Sequence, residues 1–168
     1  WGESYGVELT LPYQTKNWTT YNGIGYNYNT YNFNDPQTGE VKELAIPSWN
    51  WYLYNEVQLP WDFSAQVTFW WTSAGLEGIF RYEKIYGLNA TVSKKFFDGS
   101  LTVSVTGNDI LASYIEQGNS NLEGFEVQHK DIYDTHFWQL RLRWTFGKLK
   151  GFDARDKSGN NEESGRIK

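Results

Sequence analysis

Residues 136–146, HFWQLRLRWTF, alternate without interruption. His136, Trp138, Leu140, Leu142, Trp144 and Phe146 point one way, while Phe137, Gln139, Arg141, Arg143 and Thr145 point the other. A two-residue period is that of a β-strand. Its apolar phase carries tryptophan towards both ends with leucine between, and its other phase carries two arginines near the middle. Lipid suits such a face, with aromatic rings at two interfaces and the charges aimed into a wet lumen.

Composition narrows the solvent without choosing it. Aromatic residues make up 18% of the 168, yet mean hydropathy is −0.64 and no apolar run is long enough for a membrane helix. Strands that show only alternate residues to lipid fit this balance, and so does a soluble sugar-binding sandwich. The chain has no cysteine, which rules out disulfides and thiolate metal sites. Its net charge of −5 argues against a nucleic-acid partner. Residue 1 is Trp and methionine is absent, which reads as a mature or partial chain whose leader was cleaved or lies upstream.

The same period recurs along the chain. Residues 6–13 set Val7, Leu9 and Leu11 against Glu8 and Thr10. Residues 18–32 set Trp18, Thr20, Ile24, Tyr26 and Tyr28 against Gly23, Gly25, Asn27 and Asn29, glycine in a strand marking a bend or a close backbone approach. Residues 48–59 set Trp49, Trp51, Leu53, Val57 and Leu59 against Asn50, Tyr52, Tyr54, Glu56 and Gln58. Residues 63–72 set Phe63, Ala65, Val67, Phe69 and Trp71 against Ser64, Gln66 and Thr68. Residues 86–97 set Leu88, Ala90 and Val92 against Asn89, Thr91, Ser93 and Lys95, and residues 101–108 set Leu101, Val103 and Val105 against Thr102, Ser104 and Thr106. The final strand is expected to begin as early as Phe125.

About seven antiparallel strands result. Their connections alternate between short (14–17, 60–62, 97–100) and long (33–45, 73–83, 115–124), with Gly99 supplying positive φ in the third short turn. Short turns at one end and long loops at the other are the layout of an outer-membrane barrel. Such barrels close with an even number of strands, so an odd count reads as part of a larger one. The charged, Gly-rich residues 148–168 are expected to be a disordered periplasmic tail.

Three stretches carry a resemblance: YGLNATVSKKFFDGSLTVSVTGNDIL (86–111), with its Asn-Asp-hydrophobic ending; LRLRWTFGKLKGFDARDKSGNNEESGRIK (140–168), with its Phe-Gly stop; and, less specifically, LPWDFSAQVTFWW (59–71). They resemble the C-terminal region of the outer-membrane β-barrel family related to TonB-dependent receptors, in the form common in Bacteroidetes. The resemblance implies an all-β, antiparallel transmembrane barrel of 22 strands with a plugged lumen, residues 1–147 supplying C-terminal strands. It implies residence in the bacterial outer membrane. Its expected partners are the lipid bilayer, upstream strands and plug of the same protein, and possible contacts with TonB and a surface lipoprotein.

On this reading Glu8, Glu56, Gln66, Lys95, Gln139, Arg141 and Arg143 line the lumen, mostly as pairing partners for plug or neighbouring lumen groups. Leu9, Trp51, Val67, Val103, Leu140 and Leu142 face lipid. Trp18, Trp144 and Phe146 fall near short turns; Trp49, Trp71 and Trp138 lie nearer the long loops. His129 and His136, near Asp131 and Asp134, lack a third fixed metal ligand, so loop or lumen hydrogen bonding is expected instead. Asp98 reads as a turn residue and Asp109 as a strand-end residue. No nucleophile elbow, phosphate loop or spaced carboxylate pair is present, so no enzyme, metal or cofactor is expected. Three function classes remain: an importer of a nutrient ligand, a non-transporting barrel that scaffolds a surface or secretion assembly, and a soluble aromatic-rich sandwich that binds carbohydrate.

Overall fold

The computed structural model describes residues 1–35, 38–122 and 125–146. The tail expected over 148–168 lies outside them. The described residues form β1 (Gly2–Gln14), β2 (Trp18–Asn34), β3 (Val41–Leu59), β4 (Phe63–Thr72), β5 (Gly75–Glu77), β6 (Phe80–Tyr82), β7 (Ile85–Phe96), β8 (Leu101–Asn108), β9 (Ile115–Leu122), β10 (Phe125–Ile132) and β11 (Phe137–Trp144). Seven of them make one antiparallel sheet in the order β1-β2-β3-β4-β7-β8-β11, and a second, four-stranded sheet runs β10-β9-β6-β5.

The seven expected strands are therefore the large sheet, with three differences. First, the ladder between β2 and β3 continues to Asn34↔Val41. The connection expected over 33–45 thus shrinks to 35–40. Second, the other two long connections are themselves folded, as the β5–β6 and β9–β10 hairpins of the small sheet. Third, Phe125 begins β10, a strand of that small sheet, and β11 begins only at Phe137. Thr135 breaks the run by donating its hydroxyl to Asp109 Oδ2 at 2.8 Å.

Register decides which side chains share a face, because cross-strand partners in a pleated sheet point the same way. One row of partners runs Leu9–Ile24–Trp51–Trp71–Tyr86, and another runs Val57–Ala65–Val92–Val105–Leu140. On the opposite face a row runs Thr19–Glu56–Gln66–Thr91–Thr106–Gln139. The apolar phases of all seven strands thus join into one surface and the polar phases into another. Among the described residues Leu76 is the only buried hydrophobic side chain. The large sheet is a single layer whose apolar face is open, and Leu140 and Leu142 on it are each 66% exposed.

The small sheet leaves the apolar face bare. Its strand β5 lies against the polar face at the long-loop end, where Ser48 Cβ comes 3.4 Å from the place a Cβ on Gly75 would occupy and Asn29 Nδ2 donates to Leu76 O at 3.4 Å. At the opposite end the hairpin turns are tight. Trp61 and Asp62 have φ of 59° and 60°, and Phe97 and Asp98 have 54° and 53°, so the left-handed conformation expected of Gly99 (φ 86°) extends to four residues with side chains. Paired left-handed residues match the twist of the flanking strands, at a steric cost for anything but glycine.

Candidate functional site

The polar face is where chemistry can collect, and its two halves differ in charge. On β1–β3 a shallow cleft of about 840 Å³ is lined by Glu8, Glu56, Tyr21, Tyr52 and Tyr54 among others. Gly23 lies on its floor, where a Cβ would make ordinary contacts at 3.9 Å with Glu8 Oε1 and Thr10 Oγ1. Glu56 is held in place: Tyr54 donates its hydroxyl to Oε2 at 2.7 Å, and Gln58 donates to Oε1 at 3.0 Å. On the far flank Lys95, Thr102 and Arg143 are register partners in a row, as are Ser93, Ser104 and Arg141. Four strand spacings separate β3 from β11, roughly 19 Å along the sheet. Glu56 and the two arginines therefore do not pair with each other. Gln66 and Gln139 both lie on the Glu56 row, Gln66 beside Glu56 on β4 and Gln139 on β11 with the two arginines.

The opposite face is apolar with its polar residues accounted for. Leu9, Trp51, Val67, Val103, Leu140 and Leu142 all belong to it by register. Asn55 and Asn22 also fall on it; Asn55 Oδ1 accepts from Trp18 Nε1 at 3.0 Å, and Asn22 Nδ2 donates to Thr20 Oγ1 at 3.1 Å. Lys94 falls there too, near the short turns, with Nζ 4.3 Å from the Phe63 ring centre. An ammonium over an aromatic ring at the end of an apolar strand is how lysine reaches an interface. Rings cluster at both ends: Tyr13 with Trp18 and Trp144 with Phe97 and Phe146 near the short turns, Tyr26 with Trp49 and Trp51 with Phe69 farther up. Trp18 and Tyr26, both on β2, are about 27 Å apart along the strand. Tilt brings that to about 20 Å, comparable with the roughly 25 Å apolar band of an outer-membrane barrel.

At the long-loop end, Asp109 is far more than a strand-end residue. It is 5% exposed and has φ of 42°. Oδ1 accepts from Ser113 N at 3.1 Å and Oδ2 from Thr135 Oγ1 at 2.8 Å and Tyr114 N at 3.3 Å. Its own N–H donates to Asn89 Oδ1 at 2.8 Å, and its carbonyl meets His136 Nδ1 at 2.8 Å. Burial pushes the carboxyl pKa up, but the bonds from Ser113, Thr135 and Tyr114 outweigh it and hold the group below its ordinary value. One residue, through its carboxylate and its backbone, thus ties β7 and the end of β8 to the root of β11. Asp98 sits in the short turn, as expected.

The two histidines serve separate places. His136 contacts Asp109, whereas His129 on β10 lies 3.2 Å from Asp131. Among the described residues no group of three His, Cys, Asp or Glu is placed to hold a metal.

Sequence reasoning passed over Trp70. It falls in the polar phase of β4, opposite Gly87, and a Cβ at Gly87 would come 2.7 Å from its Nε1. The Trp70 ring meets Tyr114 edge-on, centroids 5.4 Å apart at 89°, and Tyr114 stacks on Tyr133 at 4.8 Å. A tryptophan doublet in an alternating strand necessarily puts one ring on the polar face, and that was the available signal.

Against known proteins, the model of the outer membrane protein beta-barrel family matches residues 2–144, from the first residue of β1 to the last of β11. No curated protein matches the chain, and no solved structure does.

Proposed function

This chain belongs to the outer membrane protein beta-barrel family, and so to the bacterial outer membrane; from that premise we propose that its seven long strands form an arc in the wall of a barrel that imports a nutrient ligand. The observation that carries the membrane part is the missing core. Only Leu76 is buried among the hydrophobic side chains of the described residues, while leucine, valine and tryptophan cover one open face. In water a patch of that size is unstable or sticky. In lipid it is the required surface, and the polar face becomes the lumen wall.

Both edges of the arc then need partners. β1 and β11 end the large sheet and do not pair with each other. An unpaired backbone group in hydrocarbon costs several kcal/mol, so further strands adjoin both. We assign these to the same polypeptide, in keeping with the C-terminal region that residues 86–111 and 140–168 resemble. A soluble sandwich would need a second sheet on the apolar face, and the small sheet lies on the polar one.

Import, as opposed to scaffolding, is supported by the resemblance to TonB-dependent receptors and by the clefts on the polar face. Its test is purification of the full-length protein from native membranes after photo-cross-linking. Cross-links to TonB, and co-purification of a surface lipoprotein, are the expected result. A particle that yields neither, but holds secretion or surface-assembly components, would make the barrel a scaffold.

A further inference from the structure

The small sheet overhangs the polar face and encloses a cleft of about 380 Å³. Three rings form its walls: Trp70 from β4, Tyr82 from β6 and Tyr114 from the turn before β9. Gly87 makes this possible, because any side chain there would collide with the Trp70 indole. The perpendicular Trp70–Tyr114 contact and the stack of Tyr114 on Tyr133 fix the two rings relative to each other. Three carboxylates, Glu77, Glu83 and Glu116, share the lining, and no lysine, arginine or histidine does. Arg81, His129 and Lys130 line an adjoining cleft that shares Tyr82 and Glu83 with this one.

None of the three carboxylates has a cationic partner among the described residues. Glu83 accepts from Gln117 Nε2, and Glu116 accepts weakly from the Tyr133 hydroxyl at 3.3 Å; both donors are neutral and leave the negative charge uncompensated. The Tyr82 hydroxyl feels that charge, its pKa raised by burial first and then by Glu77 and Glu116. Aromatic faces carry a negative quadrupole and attract cations, most strongly where water is displaced. Rings and carboxylates here attract a cation in the same sense and repel an anion; a neutral sugar could stack on the rings but would leave the charge of the carboxylates unmatched.

We propose that this cleft binds an organic cation, an alkylammonium or quaternary ammonium group seated against Trp70, Tyr82 and Tyr114 and neutralised by Glu77, Glu83 and Glu116. The assignment rests on the reading of the polar face as a lumen and names the ligand class for that lumen.

Choline and its uncharged isostere 3,3-dimethyl-1-butanol separate charge from shape. Titrated into the full-length protein in detergent, with tryptophan fluorescence and calorimetry as readouts, choline is expected to bind at least about tenfold more tightly than the alcohol. Glu77→Gln and Glu116→Gln should each weaken choline several-fold and leave the alcohol unchanged, and Tyr82→Phe should bind nearly as wild type, since the ring face is retained. Equal binding of the two probes, tighter binding of a neutral oligosaccharide than of choline, or no choline binding at tens of millimolar would overturn the proposal. The same preparation, spin-labelled at Leu140 and Arg141, distinguishes the two failures. Alternating lipid and water signals with no choline binding remove only the cation assignment; loss of the alternation removes the lumen and this assignment with it.

Discussion

Protonating Asp109 weakens the acceptor that Ser113, Tyr114 and Thr135 share. The carboxyl pKa is depressed in the folded chain, so its contribution to stability is complete above the unfolded value of 3.8 and is lost as pH falls through the lower folded value. Hydrogen exchange at the Ser113 and Tyr114 amides should therefore stay slow down to about pH 4 and rise only in stronger acid. In Asp109→Ala both amides should exchange fast at every pH, with a loss of roughly 1–3 kcal/mol for each group left buried and unpaired. Trp70 and Gly87 allow a sharper residue-scale test. Gly87→Ala puts a methyl into the indole and should cost roughly 1–3 kcal/mol, whereas in a Trp70→Ala background the same change should be nearly neutral. Equal costs in both backgrounds would mean that the glycine is present for its backbone and not for the ring.

Among the elements, β11 shows why the large sheet was readable. With a side-chain period of two, a strand has only two possible faces, and antiparallel register joins equal phases across every neighbour. Leu140, Val105, Val92, Ala65 and Val57 could therefore be assigned to one face from five separate strands and found as one row. Leu142→Arg should destabilise the barrel by roughly 2–4 kcal/mol if it lies near the bilayer midplane. Gln139→Arg, on the other phase of the same strand, should stay within about 0.5 kcal/mol, as surface changes do, in a denaturant titration of the refolded protein. The small sheet was not legible because three of its four strands carry no such signal. Gly75–Glu77 and Phe80–Tyr82 are three residues each, and the polar β9, IEQGNSNL, has no apolar phase. β10, FEVQHKDI, does alternate, and its closeness to β11 made the two look continuous. What parts them is the bond from Thr135 to Asp109, 26 residues back, which no local pattern announces. The tyrosines and glutamates of the cleft were invisible for the same reason: β4, β6 and the turn before β9 meet only through the fold.

At the scale of the whole molecule, the described residues form a sheet with one apolar face, one polar face and two open edges, and the small sheet covers part of the polar side. Those features stand or fall together, because a single-layer sheet without a core has no stability in water. On the proposed reading its stability comes from lipid on one side and from neighbouring strands at β1 and β11. Scanning site-directed spin labels through β8 and β11 in native outer-membrane vesicles, with oxygen and a nickel chelate as relaxation agents, tests this most directly. The account predicts a two-residue period in phase with the register: Val103, Val105, Leu140 and Leu142 accessible to oxygen, and Thr102, Ser104, Thr106, Gln139 and Arg141 accessible to the chelate or shielded by protein. Aqueous accessibility that is uniform along both strands would contradict it.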